Sequence, residues 1–220
     1  NLPGWDVRLP FLGRSIQDYY EPKNAPGPKG GTLRFDLFPK PPIFNATQVA
    51  LRRGSTLWGA PLKDALRKHF HETRSLECET FSEFHPNAGT FVELDPETKD
   101  KYGLPVARIS VKLLPGDVSM SRWLGERAEE VFKAMGADET RLPQWGRSTF
   151  VLQHGTCRMG KDPSRSVLDP EGRAHDVKNL YVVDASFMPS SGGVPTTLTI
   201  MANSLRVATG LREAFKKREI

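Results

Sequence analysis

The sequence contains no apolar run that approaches the roughly 18 residues a membrane-spanning helix requires. It also has no charged-then-apolar leader of the kind that marks a secretory signal peptide. The 220 residues begin with Asn1 rather than Met, as expected of a trimmed protein or of a chain that starts inside a longer gene product. Hydrophobic residues make up 38% and charged residues 26%, which excludes a disordered or fibrous protein and predicts one or two globular domains.

Cysteine is scarce, since only Cys78 and Cys157 are present. Two cysteines allow at most one internal disulfide, and without a CxxC pair they cannot build a zinc site. We expect two free thiols, a state that fits the reducing bacterial cytoplasm and also the many periplasmic proteins that have few cysteines. The cysteine content therefore leaves both compartments open.

Charge of one sign is not concentrated in any part of the chain, although the formal net charge is +5. The 31 basic residues are interleaved with 26 acidic ones, so no basic stripe forms. Zinc-finger spacing, an aromatic RNA-binding signature and a basic region with heptads are also missing, which argues against nucleic-acid binding. A surface for an anionic partner stays open.

The apolar patterning predicts a mixture of helices and strands. Alternation over residues 32–38 predicts a half-buried strand, and the prolines that follow end it because they cannot donate to a sheet. Three further elements are predicted before residue 140: a helix over 57–70, an antiparallel strand pair over 88–94 and 104–113, and a helix from an Asp117 cap to Met135.

The C-terminal region predicts a strand, a small-residue loop and a helix. An apolar strand over 180–184 precedes the loop at 190–195, and the helix begins at Thr196 or Thr197. In open α/β sheets ligands bind beyond the carboxyl ends of strands, where Asp184 would accept hydrogen bonds from sugar-like hydroxyls. The helix N-terminus suits an anion or the electron-rich edge of a ring. An ordinary strand–helix unit with a satisfied Asp184 fits the same pattern.

The histidines offer one candidate for chemistry. His154 precedes Gly155 in a loop-rich stretch, where it fits either a catalytic acid/base or a structural residue. His69 and His71 would point away from each other on a helix, so we assign no metal site. A phosphate-binding loop at residues 192–193 is disfavoured because no Gly-Lys-Ser/Thr ending follows it.

Three C-terminal segments carry a pattern with ordered spacing: HGTCRMGKDP at 154–163, SVLDPEGRAHDVKNLYVVDAS at 166–186 and GGVPTTLTIMA at 192–202. Together they resemble the C-terminal signature of the glucose–methanol–choline (GMC) oxidoreductases, FAD enzymes that oxidise alcohols and sugars. The resemblance covers residues 148–212. Residues 80–135 are similar to the end of that family's substrate domain, while residues 1–79 match only loosely.

The resemblance implies roles for individual residues. Asp184 would meet the ribityl hydroxyls of FAD, and the helix that follows would stabilise negative charge on the reduced flavin. In the family a His removes the alcohol proton while the carbinol hydride passes to flavin N5, and here His154 would be that acid/base. The backbone along the isoalloxazine ring would come from Ala185, Val194, Pro195, Thr196 and Thr197.

The chain also departs from the family pattern around this site. The family's catalytic His stands three residues before the Gly of the Gly-Thr pair, which is Leu152 in this sequence. The family's second position, a His or Asn, falls on Pro195, which has no side-chain hydrogen bond to give. Either His154 reaches the site through a shortened loop, or another residue serves as base. His175 lies in a segment that the family uses for structure.

The GxGxxG motif with which the family binds ADP is absent from the sequence. We therefore expect a second chain, or a missing N-terminal half, to carry the dinucleotide-binding fold, and an electron-acceptor protein as a further partner. The resemblance implies a substrate-domain portion at 1–147, with an antiparallel sheet and flanking helices. Residues 148–220 would form the C-terminal strand–loop–helix piece of a Rossmann-like FAD domain.

The function implied is oxidation of a CH–OH group of a sugar, a glycoside or another alcohol, by a dehydrogenase or an oxidase. The alternative is a non-catalytic subunit that stabilises or docks a separate flavin-binding chain. The family's side chains that are missing at Leu152 and Pro195 favour this alternative.

Overall fold

The computed structural model describes residues 13–27, 29–36, 42–51, 56–72, 76–142 and 152–218. None of the helices within these ranges has both the length and the hydropathy needed to cross a membrane. The elements follow one another along the chain as β1 (Arg14–Ile16), β2 (Gly31–Asp36), α1 (Pro42–Ala50), α2 (Gly59–His71), β3 (Glu77–Ser82), β4 (Phe91–Lys99), β5 (Pro105–Ser110), α3 (Pro115–Ala134), a 3-10 helix (Ala185–Phe187) and α4 (Thr197–Lys216).

The strands form two sheets. The first has three strands in the order β1-β2-β3, and β1 runs antiparallel to β2 with Ile16 opposite Leu33. In the second sheet β4 and β5 make an antiparallel hairpin in which Val92 lies opposite Ile109. The mixed α/β class, the antiparallel hairpin and a strand near residue 32 are therefore confirmed.

Two compact units divide the chain, and the first comprises Asn1–Ile16 and Leu33–Glu79. In this unit α1 packs against α2, and Val49 of α1 is buried. The helix predicted over 57–70 is confirmed as α2, whereas α1, β1 and β3 were not predicted.

The second unit comprises Gln17–Thr32 and Thr80–Ile220. At its centre the fully buried Leu124 of α3 lies beside Gly31, where an added Cβ would stand 3.0 Å from Leu124 Cδ1 and 1.8 Å from the carbonyl oxygen of Phe81. Only glycine permits this approach of helix and strands. Trp123 of the same helix packs edge to face against Tyr19, with ring centroids 5.7 Å apart. The domain boundary predicted near residue 148 lies outside the described residues.

The start of α3 differs from the prediction that Asp117 caps it. The helix begins at Pro115 with Leu114 at the N-cap position, because proline's fixed φ and missing N–H suit the first turn. Asp117 lies inside that first turn, where a carboxylate complements the helix dipole. Its buried Oδ1 is 2.8 Å from Nδ1 of His85. Gly136, at φ +83°, follows the end of the helix.

The C-terminal part of the second unit is built around a buried cluster of Leu168, Ala174, Phe187 and Met188. The strand predicted over 180–184 does not form: within residues 152–218 the segment contributes a single bridge, between Arg173 and Tyr181. A central parallel strand needs paired neighbours on both sides, and an apolar run alone does not provide them. The loop and the helix that follow agree with the prediction, since α4 begins at Thr197 with Thr196 as its cap residue.

Candidate functional site

His154 is positioned by the backbone segment that follows it. Residues 155–159 run beside the 3-10 helix, and the N–H groups of Cys157 and Met159 donate to the carbonyls of Ser186 and Phe187 at 3.0 and 2.9 Å. The N–H of Gly155 lies 3.4 Å from the carbonyl oxygen of Ala185. These contacts bring His154 next to the start of the 3-10 helix, although residues 155–184 separate the two in sequence.

The imidazole of His154 is half-buried and has two polar neighbours. Its Nε2 lies 3.2 Å from Oγ1 of Thr196, the cap residue of α4, and the ring also hydrogen-bonds to the backbone of Leu152. Burial lowers the pKa of His154 because it removes water from the charged form, and the bond to Leu152 opposes this shift. The net result favours a neutral imidazole, which is the form that can accept a proton.

Residues 190–193, here called the 190–193 loop, connect the 3-10 helix region to α4. Glycines at 192 and 193 have φ of +79° and +61°, a backbone conformation that a side chain would disfavour. Hydrogen bonds from distant residues hold the loop: Tyr20 Oη to the Gly192 carbonyl at 2.9 Å, the Phe84 N–H to Ser191 Oγ at 2.7 Å, and Ser190 Oγ to Glu83 Oε1 at 2.7 Å.

Among the distant residues that hold the 190–193 loop, Glu83 is the most buried, with 7% of its surface exposed. Its other carboxylate oxygen lies 4.0 Å from Nζ of Lys29, and its backbone N–H lies 3.4 Å from the carbonyl oxygen of Gly30. A buried carboxylate that is hydrogen-bonded and paired in this way fixes its neighbours firmly, since leaving it unpaired would be costly. The conformation of the 190–193 loop therefore depends on residues from the other end of the unit's sequence.

Asp184 lies at the N-terminus of the 3-10 helix and caps it. Its Oδ1 accepts hydrogen bonds from the hydroxyl and from the backbone N–H of Ser186, the latter at 2.8 Å. These bonds lower the pKa of Asp184, so the carboxylate is ionised at neutral pH. The side chain is exposed and remains open to a further hydroxyl.

The structure brings three of the sequence-predicted residues together, namely His154, Ala185 and Thr196. Thr196 is 3% exposed, whereas Pro195 and Thr197 on either side of it are exposed and Val194 is half-buried. Asp184 adjoins this group through Ala185.

The residues that hold the 190–193 loop were missed by sequence reasoning. Tyr20 is 172 positions away from Gly192, and no local pattern marks such a pair. The paired serines at 190 and 191 were a usable signal, because adjacent hydroxyls before a glycine turn often accept or donate hydrogen bonds that fix the turn.

Metal chemistry has no obvious place in the described part of the chain. Within those residues no group of three His, Cys, Asp or Glu side chains is arranged to hold an ion. Cys78 and Cys157 are both half-buried, and neither is part of a disulfide. What the site does offer is a neutral imidazole, an ionised carboxylate and the N-terminus of a long helix, a combination suited to proton transfer beside a polar, electron-rich ligand.

Curated relatives give this geometry a context. The chain is 38% identical to 6'''-hydroxyparomomycin C oxidase of Streptomyces lividus over 68% of its own length and 27% of the relative's. It is 37% identical to paromamine 6'-oxidase of Streptomyces fradiae, over 60% and 25%. With 2-methyl-1,2-propanediol dehydrogenase of Mycolicibacterium austroafricanum it shares 35% identity, over 78% and 32%. The chain thus spans about a quarter to a third of the length of these relatives.

A match to a family model shows the family. The family model described as GMC oxidoreductase matches residues 86–204, a range that runs from the β4–β5 hairpin to the first half of α4. This range is more than half of the chain and contains His154, Asp184 and the whole 190–193 loop. The chain therefore belongs to the GMC oxidoreductase family.

Proposed function

We propose that this chain is the C-terminal part of a FAD-dependent enzyme that oxidises a CH–OH group of a sugar, a glycoside or another alcohol. The observation that carries the proposal is the half-buried His154, which is directed at the N-terminus of α4 through Thr196. Relatives named as oxidases and dehydrogenases of hydroxylated compounds support the reaction class.

His154 is assigned the role of acid/base. Oxidation of an alcohol to a carbonyl requires loss of the hydroxyl proton, and a neutral imidazole can accept it. The lowered pKa of His154 keeps the ring neutral at physiological pH, so the base is available without prior deprotonation. Help of this kind accelerates a reaction by about 10²–10⁴-fold. FAD, when bound, supplies the acceptor for the carbinol hydride.

The residues around His154 fit a flavin. The ionised and exposed carboxylate of Asp184 would accept hydrogen bonds from the ribityl hydroxyls. Thr196 gives no side-chain hydrogen bond to the start of α4, so the first-turn N–H groups keep their capacity to donate toward an electron-rich ring edge. The backbone of Ala185 and of residues 194–197 would lie along the ring system.

A dinucleotide-binding half, on the same or a second polypeptide, would complete the FAD site. We assign residues 1–147 to the substrate domain and 148–220 to the FAD domain, whose GxGxxG portion this sequence lacks. Apolar side chains along α4 are strongly exposed, among them Leu198 at 80% and Leu205 at 70%, and the dinucleotide-binding half is the partner we propose for them. Relatives named fructose dehydrogenase large subunit and gluconate 2-dehydrogenase flavoprotein support a multi-subunit enzyme, which would include an electron-acceptor protein.

Native mass spectrometry of the protein purified from its source tests this arrangement. We expect the chain to travel with one FAD and with the dinucleotide-binding half, on the same or a second polypeptide. A chain that travels alone and without flavin would contradict the assignment of the cofactor residues.

Turnover of the flavin-loaded enzyme tests the role of His154. The substrates to try are fructose, paromamine and 2-methyl-1,2-propanediol, each with oxygen and with an artificial electron acceptor, to separate oxidase from dehydrogenase. We expect His154→Ala to lower kcat by about 10²–10⁴-fold while FAD absorbance per chain is retained. His71→Ala, which removes an exposed histidine at the end of α2, is the matched control.

Unchanged turnover in the His154→Ala enzyme would remove His154 from the mechanism. It would favour the alternative function, a non-catalytic subunit that stabilises or docks a separate flavin chain. Leu152 and Pro195, which stand where the family has hydrogen-bonding side chains, support that alternative.

A further inference from the structure

Thr196 makes an unusual use of its hydroxyl group. Threonine at a helix N-cap normally accepts a hydrogen bond from an N–H of the first turn. In α4 this bond is absent, although Thr196 is the cap residue and its backbone carbonyl accepts from Ile200 N–H at 3.0 Å. The hydroxyl instead lies 3.2 Å from His154 Nε2. A local helix-stabilising contact has thus been exchanged for one with a residue 42 positions away.

The burial of Thr196 limits what this hydroxyl can touch. Thr196 is 3% exposed, while the imidazole of His154 is only half-buried. The imidazole is therefore partly open to solvent, whereas Thr196 is shielded from it. Pro195, the residue before, has no donor or acceptor in its side chain that could share the task.

The two polar neighbours of the imidazole are complementary. The hydrogen bond between the imidazole and the backbone of Leu152 raises the pKa of His154, whereas burial lowers it. A carbonyl that accepts from a ring N–H has this effect, so the ring donates to Leu152. A neutral imidazole has one N–H and one lone pair, so a ring that donates to Leu152 has a second nitrogen that accepts. A hydroxyl can donate to that nitrogen and, once the nitrogen is protonated, can accept from it.

We propose that Thr196 is a positioning residue that fixes the orientation of His154 and its tautomer, with the proton on Nδ1 and the lone pair on Nε2. The proposal rests on the function proposed for His154. In the reaction the Thr196 hydroxyl turns its hydrogen away from Nε2, the O–H bond of the substrate breaks, an N–H bond forms at Nε2 in its place, and the hydride leaves with its electron pair to the oxidised flavin. Thr196 takes no proton and keeps its own hydroxyl hydrogen throughout.

The test compares three variants of the flavin-loaded enzyme labelled with ¹⁵N-histidine. Thr196→Val keeps the shape of the side chain without the hydroxyl, Thr196→Ser keeps the hydroxyl, and Thr199→Ala removes an exposed threonine of the same helix turn as a control. The ¹⁵N shifts of His154, assigned with His154→Ala, report the tautomer without reference to turnover. We expect Thr196→Val to mix the tautomers and to lower kcat by about three- to ten-fold with KM unchanged. Thr196→Ser and Thr199→Ala should keep the wild-type shifts.

Unchanged His154 shifts in Thr196→Val would overturn the proposal, whatever happens to turnover. If Thr196→Val fails to load FAD, the shifts of Thr196→Ser decide, since a mixed tautomer in the presence of the hydroxyl would also overturn it. Full turnover in His154→Ala would instead refute the proposed function and, with it, the role of Thr196 in the reaction. A tautomer change in Thr196→Val would then still establish the contact itself.

Discussion

Replacing Gly155 with alanine tests the backbone geometry that places His154. Gly155 has φ +81°, a left-handed conformation that costs an L-residue about 1–2 kcal/mol. The new Cβ would also stand 3.1 Å from the carbonyl oxygen of Met188, in the buried cluster, where overpacking costs about 1–3 kcal/mol. We expect the free energy of unfolding to fall by about 2–5 kcal/mol. Because His154 is the adjacent residue, turnover should fall as well.

Gly103→Ala provides the matched control. Gly103 lies in the turn of the β4–β5 hairpin at φ +82°, and an added Cβ there would have nothing within 4 Å. In this variant the free energy of unfolding should fall only by the cost of the left-handed backbone conformation, about 1–2 kcal/mol, and turnover should be unchanged. Urea denaturation of the flavin-loaded enzyme gives both free energies, and a standard assay gives kcat. Equal destabilisation of the two variants, or normal kcat in Gly155→Ala, would refute the placement of His154 beside the 3-10 helix.

Three further predictions concern the same unit. The lowered pKa of His154 predicts that kcat/KM keeps its plateau below pH 6.5, the ordinary value for imidazole, and falls only at lower pH. Stability should begin to decline as pH falls below 6.5, where kcat/KM still keeps its plateau, because the unfolded chain then binds the His154 proton more readily than the folded one. Glu83→Ala should cost about 1.5–3 kcal/mol by removing the partner of Ser190, and should change KM through the 190–193 loop. Leu168→Ala, at a position with no exposure, should cost about 2–5 kcal/mol in urea denaturation.

Each of these has a control in the same chain. The fall of kcat/KM at low pH should disappear or move to another pH in His154→Gln. A fall at an unchanged pH would belong to another titrating group. Glu93→Ala removes a carboxylate that pairs with the exposed Arg108, and such surface pairs contribute about 0–1 kcal/mol. Val167→Ala, at 45% exposure beside Leu168, should change stability by less than about 0.5 kcal/mol. Equal effects of the members of either pair would contradict the burial on which the predictions depend.

Elements with local signals were predictable from the sequence. The β4–β5 hairpin has alternating apolar residues on both sides of a charged, turn-forming segment, and α4 has a small-residue loop followed by threonine. Both signals depend on residues close together in the chain. β1 has three residues and pairs with β2 across a long irregular segment, so it carries no local pattern of its own.

At residues 180–184 the sequence predicts a strand that the structure does not contain. The apolar residues of this segment predict a buried strand, yet Leu180 is 47% exposed and Val183 is 37% exposed. A strand is defined by its pairing partners, which hydrophobicity does not encode. For the same reason only part of the site could be predicted from the sequence. His154 and Asp184 could be selected from their residue types and their neighbours in sequence. The contact of His154 with Thr196 could not, because it depends on how the chain folds over the 42 positions that separate them.

The anchoring of the 190–193 loop has a consequence for efforts to change what this protein acts on. A mutant library restricted to the neighbours of His154 in sequence would leave out Tyr20 and Glu83. Both residues hydrogen-bond the loop from more than 100 positions away, with separations of 172 and 107 residues. Selection for new substrates therefore has a wider set of useful positions than the C-terminal motifs define, and that set includes Tyr20 and Glu83.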